Sequence, residues 1–151
     1  MRDDTGIMRL RAAALVVKNG SILLARHLKD GRVTYLLPGG GVRGMEPAIA
    51  ALARELREEA DCEVSVGPLR YVIETIAPPG GRHLVQLVFE AAIIGEIGRS
   101  SDARVLECAW HSIAALRAIP FHPDAGVQIA DDVERGVTGL RYHIAPWREP
   151  D

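Results

Sequence analysis

The sequence predicts a single domain in which helices pack on a β-sheet. Stretches rich in β-branched or alternating residues recur between strong turn signals, and longer stretches have the composition of helices. Several hairpin strands together with two or more helices indicate an α+β fold or a sheet–helix sandwich. A chain of 151 residues is long enough to bury a core. We expect one domain over 1–151, with loose tails at 1–7 and 146–151.

The first part of the chain shows strands joined by tight turns. Asn19 and Gly20 suit the positive φ angles of a type I′ turn, so the strands on either side of them are expected to pair. Asp30 and Gly31 are the turn of a polar loop. The predicted elements are a strand at 9–17, a strand at 21–27 that pairs back on it, a loop at 28–33, a short strand at 34–37 and a glycine loop at 38–41.

A helix is predicted at 48–60. Pro47 suits the first helical position, because its ring fixes φ and its missing N–H is not needed there. At about 100° per residue, the helix has two distinct stripes. The apolar stripe, expected to be buried, contains Ile49, Leu52, Leu56 and Ala60, and the acidic patch contains Glu55, Glu58 and Glu59.

The rest of the chain predicts longer strands and two further helices. Ser112 is a candidate N-cap, and the aromatic residues are assigned mainly to the core. The predicted elements are strand structure at 63–76 with an interruption near Gly67 and Pro68, a turn at 78–81, a strand at 82–94, a loop at 95–103, a strand at 104–111, helices at 113–118 and 123–135, and an edge strand at 140–144. The strand at 82–94 has Val85, Leu87, Phe89, Ala91 and Ile93 on one face and Gln86 and Glu90 on the other, and Tyr35, Trp110 and Phe121 complete the aromatic core residues.

Composition argues against several function classes. The net charge of −2 gives no basic field of the kind that nucleic-acid partners require. The two cysteines, Cys62 and Cys108, form no CxxC motif, which argues against a zinc knuckle or a disulfide framework and fits a reducing, cytoplasmic compartment. No apolar run approaches the 18 or so residues of a membrane span, and no signal peptide is evident.

The acidic patch has two interpretations. A charge-laced helix face is commonly just a solvated surface. Alternatively, three carboxylates beside a glycine loop are suited to Mg²⁺, which prefers hard oxygen ligands and retains several waters that phosphate oxygens can replace.

The segment from Gly40 to Cys62 resembles the Nudix box, Gly-x5-Glu-x7-Arg-Glu-U-x-Glu-Glu-x-Gly-U, with U a bulky aliphatic residue. Asp61 departs from the pattern because it stands where the family has Gly, and Cys62 is a soft match to the last U. Met45 also replaces a Gly that many relatives have. The strict matches are Gly40, Glu46, Arg54, Glu55, Leu56, Glu58 and Glu59.

The resemblance implies an α/β fold, an α/β/α sandwich around a mixed β-sheet, and hydrolysis of a pyrophosphate bond with Mg²⁺ or Mn²⁺. It implies that Glu58 and Glu59 are metal ligands and that Glu55 is a ligand or a base. The carbonyl of Gly39 adds a metal ligand, and Arg54 orients the triad or the loop, with Glu46 as its expected partner. The glycines expected to let the backbone approach metal and phosphate are Gly39, Gly40 and Gly41.

A general base outside the box is also expected by resemblance. The candidates are Glu90, Glu96, Asp102 and Glu107, and Glu96 is the first choice because it follows a strand end. His83, which follows a glycine-rich turn, is a candidate substrate contact.

Two functions remain open. The first is an enzyme acting on a nucleoside diphosphate linked to another group: ADP-ribose, a nucleotide sugar, a dinucleotide or a (d)NTP. The second is a catalytically silent nucleotide sensor, for which Asp61 and Met45 are the supporting features. The intact acidic residues favour the enzyme. A homodimer is implied because relatives often dimerise.

Overall fold

The computed structural model describes residues 7–78 and 81–148, which form nine β-strands, two α-helices and one 3-10 helix. Most of the two predicted tails and half of the predicted turn at 78–81 lie outside these ranges. In chain order the elements are β1 (Met8–Leu15), β2 (Val17–Lys18), β3 (Ser21–Lys29), β4 (Arg32–Leu36), β5 (Gly39–Gly41), α1 (Ala48–Ala60), β6 (Glu63–Ile76), β7 (His83–Ile94), β8 (Val105–Ser112), the 3-10 helix (Ile113–Arg117), α2 (Gly126–Glu134) and β9 (Arg141–Ile144).

The larger sheet is mixed, as the resemblance to the Nudix family implies. Its strands run in the order β5-β1-β7-β6-β9, with β1 parallel to β7, β6 parallel to β9 and the remaining pairs antiparallel. A second, antiparallel sheet is built around β3, which pairs with β2, β4 and β8. Strand β6 shifts register beside Gly67 and Pro68, where an interruption is predicted.

The two α-helices cover opposite faces of the larger sheet. Leu52 and Leu56 of α1 pack with Ala12 and the alternate residues of β1, whereas Ile129 of α2 packs in the cluster that contains Ala13. Because consecutive strand residues point to opposite faces, the helices flank the sheet. The predicted α/β/α sandwich is therefore confirmed.

The predicted hairpin at Asn19 and Gly20 is only partly correct. Both residues have positive φ, but the turn joins just β2 to the start of β3. Strand β1 instead lies between β5 and β7 in the other sheet. The predicted loop at 28–33 is wrong, because β3 and β4 continue to a two-residue turn at Asp30 and Gly31.

Other differences are local. Ile49 is 52% exposed, because the buried side of α1 is narrower than the predicted stripe. Trp110 is 40% exposed on β8, so its assignment to the core is wrong. Ser112 precedes the 3-10 helix without a side-chain capping bond. Helix α2 begins at Gly126, three residues later than predicted.

Among the described residues, none of the helices is long and apolar enough to span a membrane.

Candidate metal and pyrophosphate site

Arg54 gathers the acidic residues of the box around one guanidinium. Its Nε and Nη2 donate to the two carboxylate oxygens of Glu46 at 2.9 and 3.0 Å, which is the expected bond and lowers the pKa of Glu46 to about 2. Its Nη1 donates to Glu55 at 2.8 Å and, more loosely, to Glu58 at 3.4 Å, and Nη2 also reaches the Gly41 carbonyl at 3.0 Å. Arg54 therefore joins the loop to two members of the acidic patch.

Glu59 faces away from Arg54 and is buried. Only 2% of its surface is exposed, and one carboxylate oxygen accepts the Gly39 N–H at 3.2 Å. Burial raises the pKa of Glu59 to about 8, with nearby Arg11 acting in the opposite direction. A carboxylate kept in this environment is a strong candidate for a cation ligand, because buried charges are paired or coordinate metals.

Close packing against the backbone requires glycine at position 39, and at position 40 a side chain would displace the carboxylate of Glu55. A Cβ at Gly39 would lie 2.1 Å from the Ala12 carbonyl oxygen, so this residue presses against β1. A Cβ at Gly40 would lie 2.3 Å from the carboxylate carbon of Glu55. The loop therefore brings its backbone directly against the acidic patch.

Arg11 is a site residue that the sequence analysis missed. Its guanidinium is buried and donates to Gln86 Oε1, to the Leu37 carbonyl at 2.9 Å and to the Gly39 carbonyl at 3.1 Å. Gln86, predicted to lie on a polar strand face, has no exposed surface. The available signal was that Arg11 directly precedes the apolar run at 12–15 of the same strand.

His27 on β3 is a second neighbour of Glu59, with its Nε2 3.9 Å from the carboxylate. Burial, reinforced by the positive charge of Arg11, lowers the pKa of His27 to about 4. The imidazole is therefore neutral at pH 7, and the buried Nε2 has no hydrogen-bond partner in the described part of the chain.

The segment after β7 closes the C-terminal end of α1. The Gly98 N–H donates to the Ala60 carbonyl at 2.6 Å, and the Ser101 N–H donates to the Glu58 carbonyl at 2.7 Å. Asp61 ends the helix in the left-handed conformation, with φ 46° and ψ 47°. Asp61 therefore adopts the backbone conformation expected of the glycine that it replaces.

Glu96, the first choice for an external base, is exposed and lines a cavity of about 1030 Å³ together with Ser100 and Trp110. None of the three glutamates of the acidic patch lines that cavity. Asp102, another candidate, is held by Arg104 at 3.0 Å. The structure thus brings together the residues of the box but leaves Glu96 outside their hydrogen-bonded cluster.

His83 also lies in a separate cluster. It begins β7, and its Nε2 contacts Glu74, whose other oxygen accepts the Tyr142 hydroxyl. Its pairing partners are Met8 at the start of β1 and Ile76 at the end of β6. The described contacts of His83 therefore fall on the sheet and not on the glycine loop.

The donor set suits a divalent cation in kind. Carboxylate and carbonyl oxygens are the ligands that Mg²⁺ and Mn²⁺ prefer, and Glu59 is a buried carboxyl group that accepts a single N–H donor. Across 7–78 and 81–148, no three His, Cys, Asp or Glu side chains converge closely enough to hold a metal ion. The reason is visible in the contacts, since Glu55 and Glu58 turn toward Arg54 while Glu59 turns toward Gly39.

Comparison with known proteins gives a consistent assignment. A family model described as the NUDIX domain matches residues 8–131. A NUDIX hydrolase from Nitrosomonas europaea superposes with a TM-score of 0.77 at 20% identity, over 87% of this chain and 92% of that one. A MutT NUDIX hydrolase from Burkholderia pseudomallei gives 0.71 at 28% identity, over 84% and 98%. An ADP-ribose pyrophosphatase from Streptococcus suis gives 0.67 at 15% identity, over 90% and 98%.

A comparison with curated protein sequences gave no match. The family model nevertheless covers most of the chain and includes every residue of the box. With the sandwich fold and the acidic patch against the glycine loop, the chain belongs to the NUDIX domain family.

Proposed function

We propose that this protein hydrolyses a pyrophosphate bond in a nucleoside diphosphate linked to another moiety, using Mg²⁺ or Mn²⁺. The observation that carries the proposal is Glu59, a buried carboxylate set against the Gly39 amide. The metal ligands would be Glu55, Glu58 and Glu59 with the carbonyl of Gly39. A divalent cation at these oxygens would offset phosphate charge and lower the pKa of a bound water.

The protein's own residues supply positioning. Gly39 and Gly40 allow the backbone to approach a phosphate without a Cβ in the way. Arg54 holds the loop through Glu46 and faces Glu55, so it fixes the acidic patch relative to the loop. Positioning and electrostatics supply most of the catalysis in phosphoryl transfer. Among the candidates for a base, Glu55 fits this arrangement better than Glu96, because it lies against Gly40.

The test is a hydrolysis screen with Mg²⁺ and with Mn²⁺. The panel contains ADP-ribose, nucleotide sugars, diadenosine polyphosphates and (d)NTPs. We expect one class to turn over, and Glu58→Gln and Glu59→Gln each to reduce kcat at least about 100-fold, as loss of an essential charge-stabilising group does. Glu63→Gln is the matched control. Glu63 is exposed, lies just after the end of α1 and pairs with Arg57 of that helix. No turnover across the panel would contradict the proposal.

A catalytically silent nucleotide sensor is the alternative function, and the two residues that suggest it do not change the expected backbone path. Asp61 and Met45, the two departures that suggest it, both adopt positive φ, at 46° and 67°. The backbone therefore follows a path typical of glycine despite the substitutions. Binding of a panel compound without turnover would favour the sensor.

We also propose, from the family resemblance alone, a homodimer in the cytoplasm. Light scattering on the purified protein tests the dimer, and fractionation of the native cells tests the compartment.

A further inference from the structure

We propose that Arg11 is a positioning residue of the metal site, which fixes the Gly39 carbonyl and supplies the cation beside buried Glu59. The inference rests on the proposed function, since it treats Gly39 and Glu59 as metal ligands. Arg11 lies outside the Nudix box, on β1, and reaches the site from the strand next to the glycine loop.

The orientation of β5 leaves the polar groups of Gly39 free of β1. The Ala14 N–H bonds the Pro38 carbonyl and the Val42 N–H bonds the Leu10 carbonyl. In an antiparallel ladder, residues alternate between those that exchange bonds with the partner strand and those that do not. Gly39, paired with Ala13, falls in the second class, so its N–H and carbonyl need other partners.

Those partners are Glu59 and Arg11. The Gly39 N–H donates to Glu59 at 3.2 Å, and the Gly39 carbonyl accepts Nη2 of Arg11 at 3.1 Å. The same nitrogen also donates to the Leu37 carbonyl at 2.9 Å, so Arg11 bonds the residues immediately before and after Pro38. A carbonyl oxygen has two lone pairs, and the bond to Arg11 leaves one for another ligand.

Gln86 holds the guanidinium in place. It lies directly across from Arg11 in the β1–β7 register, and its Oε1 accepts a hydrogen bond from Nη1 of Arg11. Gln86 is fully buried and only 9% of Arg11 is exposed. A buried side chain held by three acceptors has little freedom to turn away, so the carbonyl that it bonds is also fixed.

The second contribution of Arg11 is electrostatic. The positive charge of Arg11 acts on both Glu59 and Glu55. An unpaired buried carboxylate is costly, and a neighbouring cation reduces that cost. A lysine at position 11 would keep the charge but lose the rigid fork in which Nη1 bonds Gln86 while Nη2 bonds the Leu37 and Gly39 carbonyls. The lysine variant therefore separates the two contributions experimentally.

The experiment compares Arg11→Lys and Arg11→Met with Arg9→Met. Arg9 is the matched control because it lies two residues away on the same face of β1 and is exposed. Mn²⁺ affinity is measured from the electron paramagnetic resonance signal of free Mn²⁺. Hydrogen exchange of peptides covering Gly39 and Gly41 is followed in EDTA, and kcat and KM are measured on the substrate found by the screen.

We expect Arg11→Lys to weaken Mn²⁺ binding roughly 10-fold or more and to lower kcat by a similar factor, the usual effect of losing an outer-shell partner. KM should change less than about 3-fold, and exchange at Gly39 should accelerate at least about 10-fold. Arg11→Met should lose more, and Arg9→Met should match the wild type. Arg11→Lys carries the test if Arg11→Met does not fold.

Equal Mn²⁺ affinity and equal exchange in Arg11→Lys and Arg9→Met would overturn the inference. Faster exchange with unchanged Mn²⁺ affinity would also overturn it, since Arg11 would then be only structural. If the wild type itself binds no Mn²⁺, the proposed metal site fails, and unchanged exchange at Gly39 in Arg11→Lys would separately exclude a positioning role.

Discussion

At the scale of single residues, Glu59 stands out because its environment opposes its charge. Its pKa is raised from 4.5 to about 8, mainly by burial. For a group with a raised pKa, the favourable contribution to folding is complete below the unfolded value and is lost as pH rises through the folded value. The contribution of Glu59 to the stability of the metal-free protein should therefore fall between about pH 4.5 and pH 8.

Glu59→Gln should accordingly stabilise the metal-free protein while removing its activity. Glutamine keeps an oxygen for the Gly39 N–H and carries no charge. At 1.36 kcal/mol per pKa unit, the free energy of unfolding should rise by roughly 4 kcal/mol at most at pH 8, and by little near pH 4.5. Urea denaturation in EDTA at both pH values measures this. Glu63→Gln should show no such gain, and a loss of stability in Glu59→Gln at pH 8 would contradict the prediction.

The same scale shows where the sequence was insufficient. Glu46, Arg54 and the acidic patch lie within one short segment that resembles the Nudix box, and that resemblance implies their association. Arg11 and Gln86 are 75 residues apart and each resembles a surface residue in isolation. Burial is tolerable only because they pair across β1 and β7, and local sequence does not reveal that pairing.

At the scale of elements, helix α1 matches its predicted range because its start and end carry their own signals. Pro47 lies one position earlier than predicted, as the N-cap with φ −62° and ψ 145°, and Asp61 ends the helix in the left-handed conformation. The strand at 9–17 was harder, because its partners β5 and β7 come later in the chain, whereas the turn at Asn19 and Gly20 favours a local hairpin. Pairing of β1 with β5 and β7 outweighed the local hairpin preference, and only Val17 and Lys18 of β2 pair back on β3.

The helix end offers a prediction of its own. Asp61→Gly should raise the free energy of unfolding by about 0.5–1 kcal/mol, because glycine adopts positive φ without strain. For a chain of this size, the melting temperature should rise by roughly 1–4 °C. Catalytic activity should stay within about 2-fold of the wild type, because the backbone path is already that of glycine.

Asp61→Asn and Asp61→Ala are the controls, measured by the same thermal melts. Asparagine tolerates the left-handed region and should leave stability nearly unchanged, whereas alanine should lower it. A gain in turnover of 10-fold or more in Asp61→Gly would show instead that the altered helix end suppresses catalysis, in agreement with the sensor interpretation.

At the scale of the whole molecule, the site is assembled from distant parts of the chain. β1 contributes Arg11, β5 the glycines, α1 the carboxylates and β7 Gln86. Helix α1 packs on one face of the larger sheet, next to its edge strand β5. On the other face, Tyr71 of β6 bonds Asp132 of α2 at 2.8 Å. Ligand binding at such a site stabilises the whole domain, because the ligand set exists only in the folded state.

Mn²⁺ should therefore raise the melting temperature, and by more at high pH. At a concentration 100 times Kd, one bound ion adds about 2.7 kcal/mol, or roughly 5–11 °C here. Protons compete with the metal for Glu59, whose pKa is about 8, so the Mn²⁺-induced shift at fixed total Mn²⁺ should be larger at pH 8.5 than at pH 6.5. Differential scanning fluorimetry at both pH values measures it. Glu63→Gln should keep the full response and Glu59→Gln should lose most of it. An equal shift in Glu59→Gln and in the wild type would place the bound metal elsewhere.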